Sequence, residues 1–307
     1  MNQYHQDYWL DTDIDKDQDG CLSDALQNWA RSGQSMSHFM LRKAHLQHLD
    51  LVCPNTLTGY DLTHADLYRA DLSFSHLFNV NLTGASLMKA NLDGANLHCA
   101  NLTDCNLLGV NFKTTKIEHV NWGKELLQEQ QAKQAHKERN HPLYLDYLQQ
   151  AEEICRSIRI SAEHQGLHRE AGYFFHREMV VRRKQLPLFS LPRLTSKAAD
   201  VICGYGEHTG KVIGFALMMI VACSVLFGFT GIHDNGQFVS FDSQLSLWQN
   251  LKHWGNCLYF SVVTFTTLGY GDLVPSHAAR MIAAIEAFTG SFTMAVFVVV
   301  FVQKMTR

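Results

Sequence analysis

Charge is what the last third of this sequence lacks. Of its 55 Asp, Glu, Lys and Arg residues, only eight lie beyond Lys211: Asp234, Asp242, Lys252, Asp272, Arg280, Glu286, Lys304 and Arg307. The eight cysteines form no CxxC pair and no disulfide-like spacing, which argues against a stapled secreted scaffold and fits a reducing compartment. A formal net charge of −3 gives no reason to expect a nucleic-acid partner. The opening MNQYHQDYWLDTDID has no basic stretch leading into a short apolar one, so no signal peptide is expected. What is present suits packed structure. Hydrophobic residues make up 46% of 307 positions, enough for two or three domains. A mean hydropathy of −0.12 excludes a chain that is mostly membrane bundle.

The uncharged third supplies two long apolar runs. Val212 to Ile232 has 21 residues without a charge, and Met281 to Val302 carries only Glu286. At 1.5 Å per residue each spans the roughly 30 Å hydrocarbon core of a bilayer. Arg182, Arg183, Lys184, Arg193, Lys197 and Lys211 precede the first run, and Lys304 and Arg307 follow the second, whereas the connection holds only Lys252 and Arg280. That bias predicts an inner-membrane, multi-pass protein with both termini cytoplasmic and residues 233–280 outside. No repeated arginines mark a voltage sensor.

The connection carries chemistry. Gln237 to Leu251 reads as a polar loop, and Trp254 to Thr266 as an apolar segment long enough to dip into a bilayer but too short to cross it. It leads directly into Thr267-Leu-Gly-Tyr-Gly-Asp272. Non-helical backbone at membrane depth survives only where it lines a cavity or is packed in protein. The stretch Thr266 to Asp272 (TTLGYGD) resembles the filter signature of the potassium-channel pore family, with Leu268 where valine is usual. The resemblance covers residues 211–307. It implies ion sites formed by main-chain carbonyls of Thr267, Leu268, Gly269, Tyr270 and Gly271, which replace the water shell of K⁺, together with the Thr267 hydroxyl.

By the same resemblance Asp272 stands at the outer mouth, Tyr270 packs outward against the pore helix, and Tyr259 and Phe260 form an aromatic cuff. Val263 occupies a position where some two-span channels carry a glutamate that pairs with the filter aspartate. Gly290 matches the inner-helix hinge, although a glycine there also suits close helix packing. Ser291, Met294, Val298 and Val302 fall at helical spacing and are the expected inner pore lining. One strand cannot enclose an ion, so the family implies a homotetramer. The sequence contains its own control: Gly204-Tyr-Gly-Glu207 lacks the preceding threonines and pore-helix segment, and reads as a juxtamembrane turn.

The soluble part is periodic. Every fifth residue from Leu57 through Leu62, Leu67 and so on to Phe112, Ile117 and Trp122 is apolar, fourteen in succession. Two positions earlier lies mostly a small residue, and one earlier mostly Asp or Asn. A period of five fits neither helix nor simple strand. This A-[DN]-L-x-x pattern resembles the pentapeptide-repeat family, whose fold is a right-handed quadrilateral β-helix with four repeats per coil. Leu46 and Leu51 suggest a further partial coil with a register break near Cys53. Residues 61–122 hold six acids and four basic residues, too weak a field for a DNA mimic, so a regulatory, structural or interaction role is expected, with a protein or ligand partner.

Between repeats and spans, Tyr144 to Ile160 and Leu167 to Arg183 read as an αα-hairpin with Gly166 at the turn. Leu186 to Lys197 reads as a linker, and basic residues of 156–211 are expected to face anionic lipid. Near the N-terminus Asp15, Asp17, Asp19, Gly20 and Cys21 match the first half of an EF-hand loop, but position twelve is Leu26 rather than glutamate. A weak Ca²⁺ site and a solvated acidic turn both remain open. His233, His253 and His277 face outside and could sense pH.

The sequence thus predicts four regions: an acidic segment 1–38, a β-helix 39–122, a helical hairpin and juxtamembrane linker 123–210, and an all-α pore domain 211–307 with a re-entrant helix and filter. It is similar to the bacterial pentapeptide-repeat ion channels. No enzyme and no required cofactor are expected, and K⁺ is the permeant ion. The competing expectation is a membrane-tethered interaction scaffold with a non-conducting pore.

Overall fold

The computed structural model describes residues 6–12, 22–53, 59–234 and 236–306. It forms two units, Met1–Arg193 and Leu194–Arg307. In the first, parallel bridges join Asp61 to Asn81, Asp66 to Ser86, Asp71 to Asn91 and His76 to Asn96, and continue to Asn101 and Asn121. Each bridge spans twenty residues and the next lies five further on, so one coil consists of four pentapeptides. Leu62 to Ile117 at the period of five fill the axis, and Ala65, Ala70, Ala85 and Ala90 are buried beside them. The Asp or Asn that precedes each leucine has a mechanical role. Its side-chain Oδ1 accepts the main-chain N–H two residues on, as from Thr63 to Asp61 (3.1 Å), Tyr68 to Asp66 (3.0 Å) and Thr103 to Asn101 (3.2 Å). Where Asp or Asn stands at this position, such Asx turns form the corner.

The coil begins earlier than the periodicity suggests, with the Met36 N–H bonded to the Asp61 carbonyl at 3.0 Å. Met40, His45 and Asp50 bridge to Asp66, Asp71 and His76 across 26 residues instead of twenty, which locates the expected register break as a six-residue insertion between the first coil and the next.

Both open ends are covered. Trp9 of α1 (Gln6–Leu10) stacks on Phe39 at 5.2 Å, and Leu22, Leu26 and Trp29 of α2 (Leu22–Arg31) are buried in the same cluster. At the other end stand α3 (Leu127–Lys137), α4 (His141–His164) and α5 (His168–Gln185), with Gly166 at φ +70° in the hairpin turn. Phe174 packs edge-on against Trp122. Ser161 Oγ donates to the Phe112 carbonyl (2.9 Å), Gln165 Nε2 donates to the Thr115 carbonyl (2.6 Å), and the Ile117 N–H donates to Gln165 Oε1 (3.1 Å). The hairpin therefore satisfies the last coil's main chain and closes its core, as terminal caps of stacked repeats must. The buried Glu178 carboxylate accepts from Arg156 (3.0 Å) and Arg159 (2.8 Å), and Arg177 pairs with Glu129, which lock the three helices together.

The second unit holds most of α6 (Leu191–Cys203), a 3₁₀ turn Gly204–Gly206, α7 (Thr209–Thr230), α8 (Leu247–Phe265) and α9 (Ala279–Thr306). A small antiparallel sheet, order β2-β1-β3, is built from β1 (Ile232–Asp234), β2 (Gln237–Val239) and β3 (Leu273–Pro275). Two expectations change here. The linker 186–197 turns helical at Leu191, because Pro192 falls in the first turn, where its missing N–H costs nothing. The stretch 237–251 is not all loop. It contains β2 and the first turn of α8, which Ser246 caps by accepting from the Gln249 N–H at 3.3 Å while Gln249 Oε1 accepts from the Ser246 N–H. The Gly204–Gly206 copy is the turn expected.

Candidate functional site: a loop between two apolar helices

α7 and α9 are 22 and 28 residues long, with mean hydropathies of 2.5 and 2.0 over their most apolar stretches, and both are long and apolar enough to cross a membrane. Leu217, Val221 and Phe229 on α7, and Phe288, Val299 and Phe301 on α9, present large apolar side chains outward. Water disfavours such surface; lipid or a second copy accepts it.

Helix α8 lies between them. Trp254 Nε1 donates to Ser224 Oγ of α7 at 3.0 Å, and Phe260 meets Phe227 edge-on with ring centres 4.8 Å apart. Its buried face (Cys257, Phe260, Ser261, Val263 and Phe265) is turned into the domain. The apolar part from Trp254 to Phe265 extends about 18 Å at 1.5 Å per residue, short of a bilayer. The last main-chain bonds of the helix run from the Thr266, Thr267 and Leu268 N–H groups to the carbonyls of Val262 (3.0 Å), Thr264 (3.0 Å) and Val263 (3.0 Å). Beyond Leu268 the chain leaves the helix. Among the described residues no main-chain hydrogen bond within the chain is donated by Gly269, Tyr270, Gly271 or Asp272.

The loop's backbone alternates. Thr267, Gly269 and Gly271 have φ of +56°, +59° and +81°, while Leu268 and Tyr270 between them do not enter the left-handed region. An ordinary strand points successive carbonyls to opposite sides. This loop instead inverts φ at every second residue. Glycine reaches such angles without strain; Thr267 does not, and its left-handed φ was invisible in the sequence because nothing in a threonine announces it. Its hydroxyl donates to the Thr266 carbonyl at 2.7 Å.

The side chains of the loop face outward from the single chain. Leu268 and Tyr270 are 58% and 67% exposed in the single chain. Asp272 Oδ1 accepts the Leu273 N–H at 3.0 Å, and Tyr259 of α8 lies against the same carboxylate. With Val263 buried one turn further along, Tyr259 is the residue that faces Asp272.

On α9, Ser291, Met294, Val298 and Val302 are all exposed along one side, while Glu286, Gly290, Thr293 and Val300 are buried. The helix runs unbroken through Gly290. Outside the loop, His253 Nδ1 lies 2.8 Å from the Ser240 carbonyl. Asp15, Asp17, Asp19 and Cys21 lie outside the described residues.

Known families divide the chain as the geometry does. Residues 219–307 match the ion channel family, and segments within residues 56–121 match pentapeptide repeats, in eight copies. The chain thus joins a pentapeptide-repeat domain to an ion-channel domain; neither is an enzyme family. Among solved structures it is similar to HetL, a pentapeptide repeat protein involved in heterocyst differentiation regulation in Nostoc sp. strain PCC 7120, at 29% identity over 32% of this chain, with a TM-score of 0.19. The match spans 41% of HetL's length. A second Nostoc pentapeptide repeat protein, alr5209, is 28% identical over 34% of this chain and 89% of its own, with a TM-score of 0.20. Rfr23 from Cyanothece 51142 is 24% identical over 31% of this chain and 87% of its own, with a TM-score of 0.18. No curated protein matches the chain.

Proposed function

We propose that the protein is a K⁺-selective channel that assembles as a homotetramer around the Thr266–Asp272 loop. The observation that carries this reading is the alternation of left-handed φ at Thr267, Gly269 and Gly271 in a loop that follows α8, between two membrane-length helices. Four copies of such a strand supply rings of main-chain oxygen in place of an ion's water shell. Among the described residues, Gly269, Tyr270, Gly271 and Asp272 donate no main-chain hydrogen bond within the single chain, which supports closure by further copies.

In this reading the carbonyls of Thr267, Leu268, Gly269, Tyr270 and Gly271 bind the ion, and Asp272 sits at the mouth. Ser291, Met294, Val298 and Val302 line the inner pore, and Gly290 serves as the bending point of α9. The basic flanks support a reading in which both termini of an inner-membrane protein lie in the cytoplasm. The repeat domain, capped at both ends and weakly charged, acts there as a regulatory or docking body. A Ca²⁺ role for Asp15, Asp17, Asp19 and Cys21 belongs to the same proposal.

The test is ion flux through the full chain reconstituted in vesicles. K⁺ and Rb⁺ should pass far faster than Na⁺. Gly269→Ala, which places a side chain at φ +59°, should abolish the difference. Equal leak of K⁺ and Na⁺ through wild type overturns selectivity, and no flux at all leaves a membrane-tethered scaffold.

A further inference from the structure

A buried carboxyl and a buried hydroxyl join the three long helices of the channel domain. Glu286 of α9 has no solvent exposure, and its burial is complete within a single chain. Its Oε1 shares a hydrogen bond with Ser261 Oγ of α8. The same Ser261 Oγ donates to the main-chain carbonyl of Ile220 on α7 at 2.8 Å. Three helices therefore meet through one hydroxyl and one acid. Among the described residues, the titratable side chain that faces the carboxyl from α7 is the Cys223 thiol, and from α8 the facing group is the Ser261 hydroxyl. Among the described residues no lysine, arginine or histidine pairs with Glu286, and its Oε2 has no oxygen or nitrogen donor.

Counting hydrogens decides what this arrangement requires. Ser261 carries one hydroxyl hydrogen, and the Ile220 carbonyl can only accept. Given to Ile220, that hydrogen is unavailable to Glu286, so the Ser261–Glu286 contact needs a hydrogen from the carboxyl. The alternative, an ionised carboxylate with no cation beside it and one oxygen facing a thiol, is the costly state of a buried charge. In the neutral acid every O–H is used in one direction: Glu286 to Ser261, and Ser261 to Ile220.

We propose that Glu286 stands as a neutral carboxylic acid, and that as such it is the positioning residue holding α8, and through it the Thr266–Asp272 loop, against α7 and α9. Its place in the seam supports the role. Glu286 and Gly290 are one turn apart on α9, and the residues they meet, Ser261 and Phe265, are one turn apart on α8. The second contact lies directly before Thr266, where the loop begins. The acid thus fixes the middle of the helix whose end aims the loop. The inference rests on the membrane reading above, but its first readout does not depend on conduction.

That readout is infrared difference spectroscopy of the full chain in lipid vesicles at neutral pH, comparing wild type with Glu286→Gln. A protonated-carboxyl carbonyl band present in wild type and absent from the variant is the expected result; spectra with no such difference overturn the proposal. The second readout is the K⁺ over Na⁺ flux ratio. Glu286→Gln, which keeps an N–H donor toward Ser261, should retain the ratio at all pH values, whereas wild type should lose it as rising pH ionises the acid. Identical pH profiles for the two also overturn it. Glu286→Leu and Ser261→Ala should both lower the ratio, and if either fails to assemble, the wild-type and Gln comparison still decides. Absence of flux in wild type would count against the channel reading alone, leaving the infrared result to judge Glu286.

Discussion

Gly290 of α9 lies so close to the main chain of Phe265 that a methyl group on its Cα would stand 2.0 Å from the Phe265 carbonyl oxygen. No real contact is that short, and the neighbour is backbone, which cannot swing aside as a side chain can. The glycine here is a packing device: its missing Cβ lets α9 touch α8 at the residue from which the loop departs. A straight helix through Gly290 is compatible with bending there on gating, but the contact alone already accounts for a glycine at this position.

Gly290→Ala should therefore push α9 away from the end of α8. Overpacking of this kind costs about 1–3 kcal/mol per site. The expected outcome is a lower unfolding temperature for the solubilised full chain, with faster amide exchange confined to Val263–Leu268. An alanine variant with wild-type stability and exchange would show that the seam can relax, and would leave bending as the reason for the glycine.

How much of this was legible beforehand differs between the two units. The period-five leucines and the TTLGYGD stretch announced their domains because each depends on side-chain identity at fixed spacing. What stayed hidden depends on main-chain geometry or on contacts remote in sequence. His64, Arg69, Phe74 and Asn79 all adopt φ near +57° at the same corner of successive pentapeptides, although nothing in an arginine or a phenylalanine marks a left-handed turn. The turn is imposed by the coil, and Thr267 in the loop is the same case. Likewise the hairpin 141–185 read as helices, but its function as the lid of the last coil rests on Ser161 and Gln165 reaching residues some fifty positions earlier. Glu286 stood out as an acid in an apolar run, whereas its partner Ser261 is an unremarkable serine until α8 and α9 are packed.

The corners of the β-helix yield a sharper test. Gly84 (φ +70°) sits beneath the imidazole of His64, and an added Cβ would come within 2.5 Å of the ring nitrogen. His64 is itself stacked on His38 with ring centres 5.1 Å apart. Gly84→Ala should destabilise the coil by both routes, left-handed strain of about 1–2 kcal/mol and displacement of the ring. His64→Ala in the same chain removes only the second, so the double variant should regain part of the loss. A thermal-melt double-mutant cycle measures the coupling; strictly additive losses would mean that the ring moves away freely.

Asp71 supplies a pH dependence with a defined sign. Burial acts to raise its pKa, but the donors around it prevail: Gln47 Nε2 at 2.6 Å, the Ser73 N–H at 3.1 Å and Asn91 Nδ2 at 3.0 Å hold the carboxyl below the usual carboxylate range. Gln47, Asp71 and Asn91 lie on successive coils, so the charged form ties three layers together. A group with a lowered folded value stabilises fully above its unfolded value near 3.9 and loses that contribution as pH falls through the folded one. The Tm advantage of wild type over Asp71→Asn should accordingly be constant from neutrality down to about pH 5 and shrink below it. Calorimetry of both full-length chains across that range checks the sign. A difference that stays flat into acid would mean the donors recognise the side chain's shape and not its charge, and one that grows in acid would reverse the assignment.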